Sequence, residues 1–219
     1  MPESTTTPAD AELLIATGCA HCPVVLEGLT TLLKEGLIGQ LTITNIVVQP
    51  ERARELGVRS VPWTRLGPFI LEGMHSPAEL REWVKRAGSM EGMSLYLHEQ
   101  LKQGKLQQME TFLAAQPQWL KALIPLLEDE DTDMKVRIGI DALLESLAGK
   151  TDLSPLIPEL GRLSQHQRQS LRGDACHYLS LTGDAAAIPY LQARLQDESP
   201  EVREIAEEGL AEMAVSENA

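Results

Sequence analysis

The stretch Cys19-Ala20-His21-Cys22-Pro23 places two cysteines three positions apart, at the junction between two kinds of sequence. Residues 13–16 just before it form a short apolar run that is typical of a buried strand. From Cys22 onward, apolar residues recur at helical spacing until Gly36 interrupts the pattern. The cysteine pair therefore lies where a predicted strand passes into a predicted helix.

A cysteine in this position has an unusual chemical environment. Unpaired N–H groups and the helix dipole at a helix N-terminus stabilise a thiolate. Such surroundings lower the pKa of a cysteine thiol from about 8.5 toward roughly 3.5–7.5. Cys19 is therefore predicted to be a nucleophile at neutral pH. Cys22 lies a turn further into the helix, close enough to attack a mixed disulfide formed by Cys19.

Strand and helix signals alternate on the C-terminal side of the cysteine pair. Because the first strand, the helix and the second strand follow one another, we expect a parallel strand pair joined by a crossover helix. The last helix begins with a capping box formed by Ser76 and Glu79. The predicted order is β-α-β-α-β-β-α, with the later elements at 41–48, 51–56, 63–66, 69–71 and 76–86.

A second motif, Ser60-Val61-Pro62-Trp63, stands directly before a predicted strand, with its proline 43 residues after Cys19. Together with the element order, the two motifs make residues 11–87 similar to the thioredoxin fold. The closest resemblance is to glutaredoxin-like domains in which proline directly follows the second cysteine. The implied fold class is an α/β thioredoxin-like domain, a central mixed sheet with flanking helices, over residues 11–88.

This resemblance implies a thiol–disulfide oxidoreductase with Cys19 as the attacking thiol and Cys22 as the resolving one. It implies that the Val61–Pro62 peptide is cis, faces the dithiol and offers backbone hydrogen bonds to an extended substrate chain. Trp63 is then either an aromatic residue of the substrate groove or a residue of the sheet. No cofactor is expected beyond the Cys19–Cys22 disulfide itself.

Two positions depart from the thioredoxin pattern. Leu13 stands six residues before Cys19, where thioredoxins keep a buried acid, and Gly18 replaces the tryptophan before the first cysteine. His21 lies beside Cys22, as in the Cys-x-His-Cys motifs of disulfide isomerases. That similarity implies that His21 favours the Cys19 thiolate and makes the couple more oxidising, and the alternative is a solvated loop histidine.

The cysteine pair has two other interpretations, a metal site or thiols without a function. A metal ion needs more ligands than one pair supplies, and the sequence has no second pair. His21 and His75 are the histidines that the fold could bring near. No metal site is therefore predicted.

The second half of the chain repeats itself. Prolines align at spacings of 33 and 31 residues, and arginines behind them at 35 and 31. Each unit is predicted to be two antiparallel helices, the first beginning near its proline and the second capped by acids of the turn. Each arginine is expected to reach the acid six residues earlier, which His166 replaces in the middle unit. The aligned residues are Pro125, Pro158, Pro189, Arg137, Arg172 and Arg203.

This pattern resembles HEAT-type α-solenoid repeats over about residues 119–213, with a less regular helical pair at 93–115 ahead of them. We therefore expect an all-α HEAT-like domain over 93–219, joined to the first domain by a linker at 89–92. The resemblance implies a concave surface that recruits a protein partner.

Composition limits the partners. Of 219 residues, 43% are hydrophobic and 4% aromatic, and the net charge is −13. Residues 1–88 carry a net charge of −2 and residues 89–219 one of −11. This acidity disfavours nucleic acid and anionic membrane surfaces. No apolar run is long enough to span a bilayer and no signal peptide is visible, so we expect a cytoplasmic protein with a mobile tail at 1–10.

Three functions remain at this point. The first is a thiol–disulfide oxidoreductase that acts on a protein or glutathione disulfide, with the helical repeats recruiting a protein partner. The second is a non-enzymatic adaptor whose thioredoxin-like domain is a docking fold or a redox-sensitive latch. The third is a metal carrier that uses the cysteine pair.

Overall fold

The computed structural model describes residues 8–216. The chain divides into two compact units, Met1–Met93 and Ser94–Ala219. The first is a mixed α/β unit and the second is helical, which confirms the predicted fold classes. The units are described separately below.

The first unit has the predicted order of elements. Each strand or helix lies within a few residues of the segment that its apolar pattern indicated. Its elements are β1 (Ala9–Ile15), α1 (Cys22–Lys34), β2 (Ile38–Asn45), α2 (Pro50–Glu55), β3 (Trp63–Leu66), β4 (Phe69–Glu72) and α3 (Pro77–Arg86).

The four strands form one sheet in the order β2-β1-β3-β4. Strands β1 and β2 are parallel, and the other two pairings are antiparallel. The parallel pair follows from the crossover through α1. Because the carboxyl ends of parallel strands meet at one edge, the loop that carries Cys19 leaves β1 beside the end of β2.

Helices α1 and α3 pack against each other on one face of the sheet. Gly28 allows their close approach, since a Cβ there would lie 2.9 Å from Leu80 Cδ1. Trp83 of α3 contacts Phe69 of β4 with ring centroids 5.0 Å apart. The short helix α2 covers part of the opposite face, where Ala53 belongs to a second apolar cluster.

Strand β1 begins earlier than the sequence indicated. Ala9 pairs with Ile38, and Ala11 pairs with Leu41 beyond a register shift. Residues 9 and 10, predicted as part of a mobile tail, therefore belong to the sheet, because ladder hydrogen bonds hold a strand end that lacks apolar side chains. The rest of the predicted tail, residues 1–7, lies outside the described residues.

The second unit is built from helices throughout its described length. Short 3-10 helices precede α6, α8 and α10, at Pro117–Leu123, Ser154–Leu156 and Ala185–Ala187. The α-helices are α4 (Met90–Lys102), α5 (Leu106–Ala115), α6 (Ile124–Glu128), α7 (Met134–Leu147), α8 (Ile157–Leu163), α9 (Gln169–Leu181), α10 (Ile188–Arg194) and α11 (Pro200–Ser216).

The segment predicted as a linker, 89–92, is largely helical. Helix α4 begins at Met90, and the Ser89 hydroxyl accepts a hydrogen bond from the Gly92 N–H at 3.0 Å. A serine in this position caps a helix N-terminus. Gly88 precedes the helix with a φ of +83°, and Ser89 satisfies a free N–H of the first turn.

Three helix pairs, α6/α7, α8/α9 and α10/α11, form the predicted repeats. Pro125, Pro158 and Pro189 each occupy the second position of the first helix of a pair, where proline loses no needed hydrogen bond. The repeat assignment is thereby confirmed.

The aligned arginines bind backbone carbonyl groups. Arg172 and Arg203 reach the residue six positions earlier, as predicted, through its carbonyl oxygen, whereas Arg137 reaches the carbonyl of Asp129, eight positions earlier. Arg203 donates to the carbonyl oxygen of Asp197 at 2.6 Å, and Arg137 donates to the carbonyl oxygen of Asp129. Arg172 binds the carbonyl of His166 at 3.0 Å and also forms a buried bidentate pair with Asp197. A guanidinium has enough donors for both.

His166 substitutes for the missing acid of the middle turn. Its Nδ1 accepts the N–H of Arg168 at 3.1 Å. The carboxylate of Asp197 accepts the N–H of Ser199 at 3.0 Å in the following repeat. An imidazole nitrogen thus performs the same turn-closing role as a carboxylate oxygen.

Candidate dithiol site

The cysteine pair lies on the loop between β1 and α1. Gly18 has a φ of +81°, a conformation that favours glycine, and the N–H of Cys19 donates to the carbonyl of Ala16 at 3.2 Å. This tight turn delivers Cys19 to the start of α1, which begins at Cys22. The two sulfur atoms are 2.23 Å apart and form a disulfide.

The two cysteines have unequal surroundings. Cys19 is half-buried and Cys22 is 4% exposed. The backbone N–H of Cys22, the first residue of α1, donates to Cys19 Sγ at 3.2 Å. When the disulfide is reduced, a thiolate on Cys19 can accept this N–H at the positive end of the helix. The geometry allows Cys19 to meet a substrate and holds Cys22 behind it.

Val61 and Pro62 lie at the same site. The peptide bond between them is cis, as the resemblance implies, and the Val61 carbonyl oxygen lies 3.8 Å from Cys19 Sγ. Val61 is half-buried and Pro62 is buried. The carbonyl of Pro62 accepts the N–H of Gly73 at 2.9 Å, which connects this loop to the end of β4.

His21 is also part of the loop, but its side chain is exposed. It occupies the N-cap position of α1 without a capping hydrogen bond from its side chain. Within residues 8–216 its ring has no hydrogen-bond partner. His21 is near the cysteines because it adjoins Cys22 in sequence, and its ring forms no hydrogen bond to either of them.

Trp63 does not line the site. It is 4% exposed and packs with Leu14 and Ala53 in the apolar cluster beneath α2. The interpretation of Trp63 as a substrate-contacting aromatic is therefore wrong, and its alternative as a sheet residue holds. Because residues of a strand alternate between faces, Trp63 points to the α2 side of the sheet with Leu14.

A buried acid is present in β1, one residue before Leu13, the position at which thioredoxins keep theirs. Leu13 is fully buried, whereas Glu12 projects to the other face and is 5% exposed. Glu12 accepts two hydrogen bonds from Arg52, at 2.5 and 2.9 Å, and pairs with Arg65 at 2.8 Å. The hydrogen bonds from Arg52 lower the pKa of the Glu12 carboxyl, and the charge of Arg65 adds to this.

The two arginines flank the loop that carries Val61. Arg52 belongs to α2, ahead of the loop, and Arg65 belongs to β3, three residues beyond Pro62. Glu12 therefore ties both ends of the segment that carries Val61 to the strand that leads to Cys19. The sequence alone does not indicate this cluster, because only the strand register, which pairs Glu12 with Arg65, brings the charges together.

Cys176 is separate from the site. It is fully buried in α9, and burial raises the pKa of its thiol to about 11. Its position agrees with the expectation of a small apolar residue.

Among residues 8–216, no group of three or more His, Cys, Asp or Glu side chains could hold a metal ion. Within the same part of the chain, no helix combines the length and the apolar character needed to cross a membrane.

Two family models match separate parts of the chain. The family described as "Thioredoxin domain" matches residues 10–85. The family described as "HEAT repeats" matches residues 120–211. No curated protein matches the chain.

Proposed function

We propose that this chain, a thioredoxin-like domain followed by HEAT-type repeats, is a thiol–disulfide oxidoreductase that acts on a protein or glutathione disulfide. One observation carries the proposal. Half-exposed Cys19 accepts the first N–H of α1, while buried Cys22 lies at disulfide distance behind it. An exposed nucleophile with a protected resolving thiol is what disulfide exchange requires.

In the reducing direction, the Cys19 thiolate attacks one sulfur of the substrate disulfide. The Cys19–substrate S–S bond forms, the substrate disulfide breaks, and the other substrate sulfur leaves as a thiolate. Cys22 then loses its proton and attacks Cys19 Sγ, which releases the first substrate sulfur. The substrate gains two electrons and the protein keeps the Cys19–Cys22 disulfide, which an external dithiol must reduce. The oxidising direction reverses these steps.

The neighbouring residues are assigned supporting roles. The backbone of Val61, whose carbonyl lies 3.8 Å from Cys19 Sγ, would hydrogen-bond an extended substrate chain, and Pro62 would shape that groove. His21, exposed beside Cys22, would favour the Cys19 thiolate when protonated. A His21→Ala variant should then have a higher Cys19 pKa, measured by thiolate absorbance.

The HEAT-type repeats would recruit a protein partner. Binding a substrate protein through a second site raises its effective concentration at the dithiol without any change in the chemistry.

The decisive experiment is to trap the reaction intermediate. Cys22→Ser leaves Cys19 unable to complete the exchange, so this variant should accumulate a mixed disulfide that mass spectrometry identifies. Cys19→Ser should trap nothing and should lose turnover of insulin or glutathione disulfide. Cys176→Ser is the control and should behave as the parent chain. Equal trapping by the Cys19→Ser and Cys22→Ser variants would contradict the proposal.

A second candidate is the adaptor, in which the thioredoxin-like domain is a docking fold or a redox-sensitive latch. Fully buried Leu13, at the position where thioredoxins keep an acid, favours it, since slow proton transfer to Cys22 would limit turnover. If the domain is only a docking fold, Cys19→Ser should retain the cellular role of the parent chain.

A further inference from the structure

The second helices of the three repeats, α7, α9 and α11, contribute residues to one solvent-exposed surface. On α7, Met134 is 68% exposed and Ile138 is 59% exposed. They are four residues apart and therefore lie on one side of the helix. Asp141 and Glu145 continue the same side at helical spacing. Two large apolar side chains in water on one helix face mark a surface that a partner can bury.

A groove continues this face across α9 and α11. Its volume is about 390 Å³. Buried Gly173 and Gly209 let α9 and α11 approach each other closely at the base of the groove, since a Cβ at Gly173 would lie 3.2 Å from Ile205 Cδ1 and one at Gly209 would lie 2.9 Å from Ser180 Cβ. Ile205 is the large apolar residue of the groove lining, and its side chain is half-buried.

The rim of the groove carries one sign of charge. Five carboxylates line it and neither lysine nor arginine does, although His177 lies 3.4 Å from Glu145. Asp141 accepts a hydrogen bond from Tyr178. Burial, and then the charge of Asp141, raise the pKa of the Asp174 carboxyl, although the charges of Arg137, His177 and Arg168 act in the opposite direction. The five acids are Asp141, Glu145, Asp174, Glu208 and Glu212.

We propose that the face formed by α7, α9 and α11, with exposed Ile138 and Met134 beside a carboxylate-rimmed groove, binds an amphipathic helix of a partner protein that carries lysine or arginine along its apolar stripe. The apolar stripe would cover Ile138 and Ile205, and the cations would meet the rim. This names the partner class for the recruiting role proposed above.

The dimensions suit such a partner. Packed helices lie about 8–10 Å apart, so the face from α7 to α11 is about 20 Å wide. A helix rises 1.5 Å per residue, and about 13 residues therefore span the face. Nucleic acid and anionic lipid would be repelled by the same carboxylates.

The test uses the full chain and a synthetic 14-residue helical peptide that has a leucine stripe flanked by lysines and no cysteine. A second peptide with glutamate at each lysine position is its counterpart. Fluorescence anisotropy should detect binding of the lysine peptide and none of the glutamate peptide.

Two matched double variants locate the binding. Asp174→Asn with Glu208→Gln removes two charges from the rim, and should weaken binding of the lysine peptide about tenfold. Glu204→Gln with Glu207→Gln removes two charges from α11 outside the groove, and should change binding less than about twofold. Ile138→Ser should weaken binding without changing the charge. Circular dichroism melts establish that each variant is folded.

Three results would overturn the proposal. They are failure of the lysine peptide to bind, equal binding of both peptides, and equal weakening by the two double variants. Because the peptides contain no cysteine, these results are independent of the Cys22→Ser trap, and either proposal can fail without the other.

Discussion

At the residue scale, the three cysteines of the chain differ in their exposure and in their hydrogen bonds. Cys19 is half-exposed and accepts the Cys22 N–H, Cys22 is buried behind it, and Cys176 is buried within α9. Reactivity follows the fraction of thiolate and the access of the reagent. The expected reactivity of a cysteine side chain therefore ranges from that of a nucleophile to that of an inert apolar group, depending on the N–H groups and the water around it.

This ranking predicts the order of alkylation. In the reduced chain at pH 7, iodoacetamide should modify Cys19 first, Cys22 more slowly, and Cys176 only after unfolding, because burial raises the pKa of Cys176 to about 11. Peptide mass spectrometry over a time course measures the three rates. Modification of Cys176 as fast as Cys19 in the folded chain would contradict the assignment.

Glu12 gives a second prediction at this scale. Glu12→Gln removes the charge that ties Arg52 and Arg65 to β1, so the segment carrying Val61 should be held less firmly. We expect kcat/KM for insulin reduction to fall several-fold, mainly through KM, while the Cys19 alkylation rate stays near that of the parent chain. Glu55→Gln is the matched control, since Glu55 also pairs with Arg52, at 3.1 Å, but is exposed. An equal loss in both variants would refute a role specific to Glu12.

The Glu12 cluster also predicts a pH dependence. The pKa of Glu12 is lowered in the folded chain, so its carboxylate stabilises the fold at neutral pH, and this contribution is lost as the pH falls through the depressed pKa. The stability difference between parent and Glu12→Gln should therefore shrink in acid. Thermal melts at a series of pH values below neutrality measure this, and a difference that stays constant would contradict it.

At the element scale, the structure shows which sequence patterns were sufficient to predict strands and helices. Apolar runs and helical spacing predicted every strand and helix of the first unit, because each buries a stripe of side chains that the pattern records. The start of β1 at Ala9 was missed, since backbone pairing rather than apolar content holds it. The start of α4 was missed because the glycines near Ser89 are typical of a linker, although the Ser89 side chain caps the helix. The ends of strands and helices that depend on hydrogen bonds of the backbone are hard to recognise from amino-acid composition.

Close packing between helices gives an element-scale prediction. A Cβ on Gly161 of α8 would lie 2.4 Å from the Tyr190 ring of α10. Gly161→Ala should therefore lower the free energy of unfolding by about 1–3 kcal/mol through overpacking. Gly139→Ala is the control, because its Cβ would meet only the Leu101 side chain, at 3.3 Å, and alanine favours helix. Denaturant melts compare the two, and equal destabilisation would contradict the packing argument.

At the scale of the whole molecule, the sequence predicted the two units and the dithiol but not the groove lined by α7, α9 and α11. Cys19 and Cys22 are close in sequence, and Pro62 follows a recognisable pattern, so most of the site could be assembled from two motifs. The Glu12 cluster depends on strand register, and the groove on α7, α9 and α11 depends on how three repeats stack. Features assembled from side chains far apart in sequence and without a motif became visible only in the fold.

The uneven charge of the two units leads to a prediction about the intact chain. Residues 1–88 carry a net charge of −2 and residues 89–219 one of −11, so the proposed electrostatic recruitment would fall to the helical unit and the proposed disulfide exchange to the other. If the repeats deliver substrate to the dithiol, a lysine-rich helical peptide that ends in a disulfide should show a lower KM than glutathione disulfide, through a raised effective concentration. Asp174→Asn with Glu208→Gln should raise the KM for this peptide about tenfold with kcat unchanged, and should leave glutathione disulfide turnover as in the parent chain. Salt at about 1 M, where the screening length is about 3 Å, should abolish the difference between parent and variant. A change in kcat for both substrates would show that the substitutions disturb the dithiol itself, and would contradict separate roles for the two units.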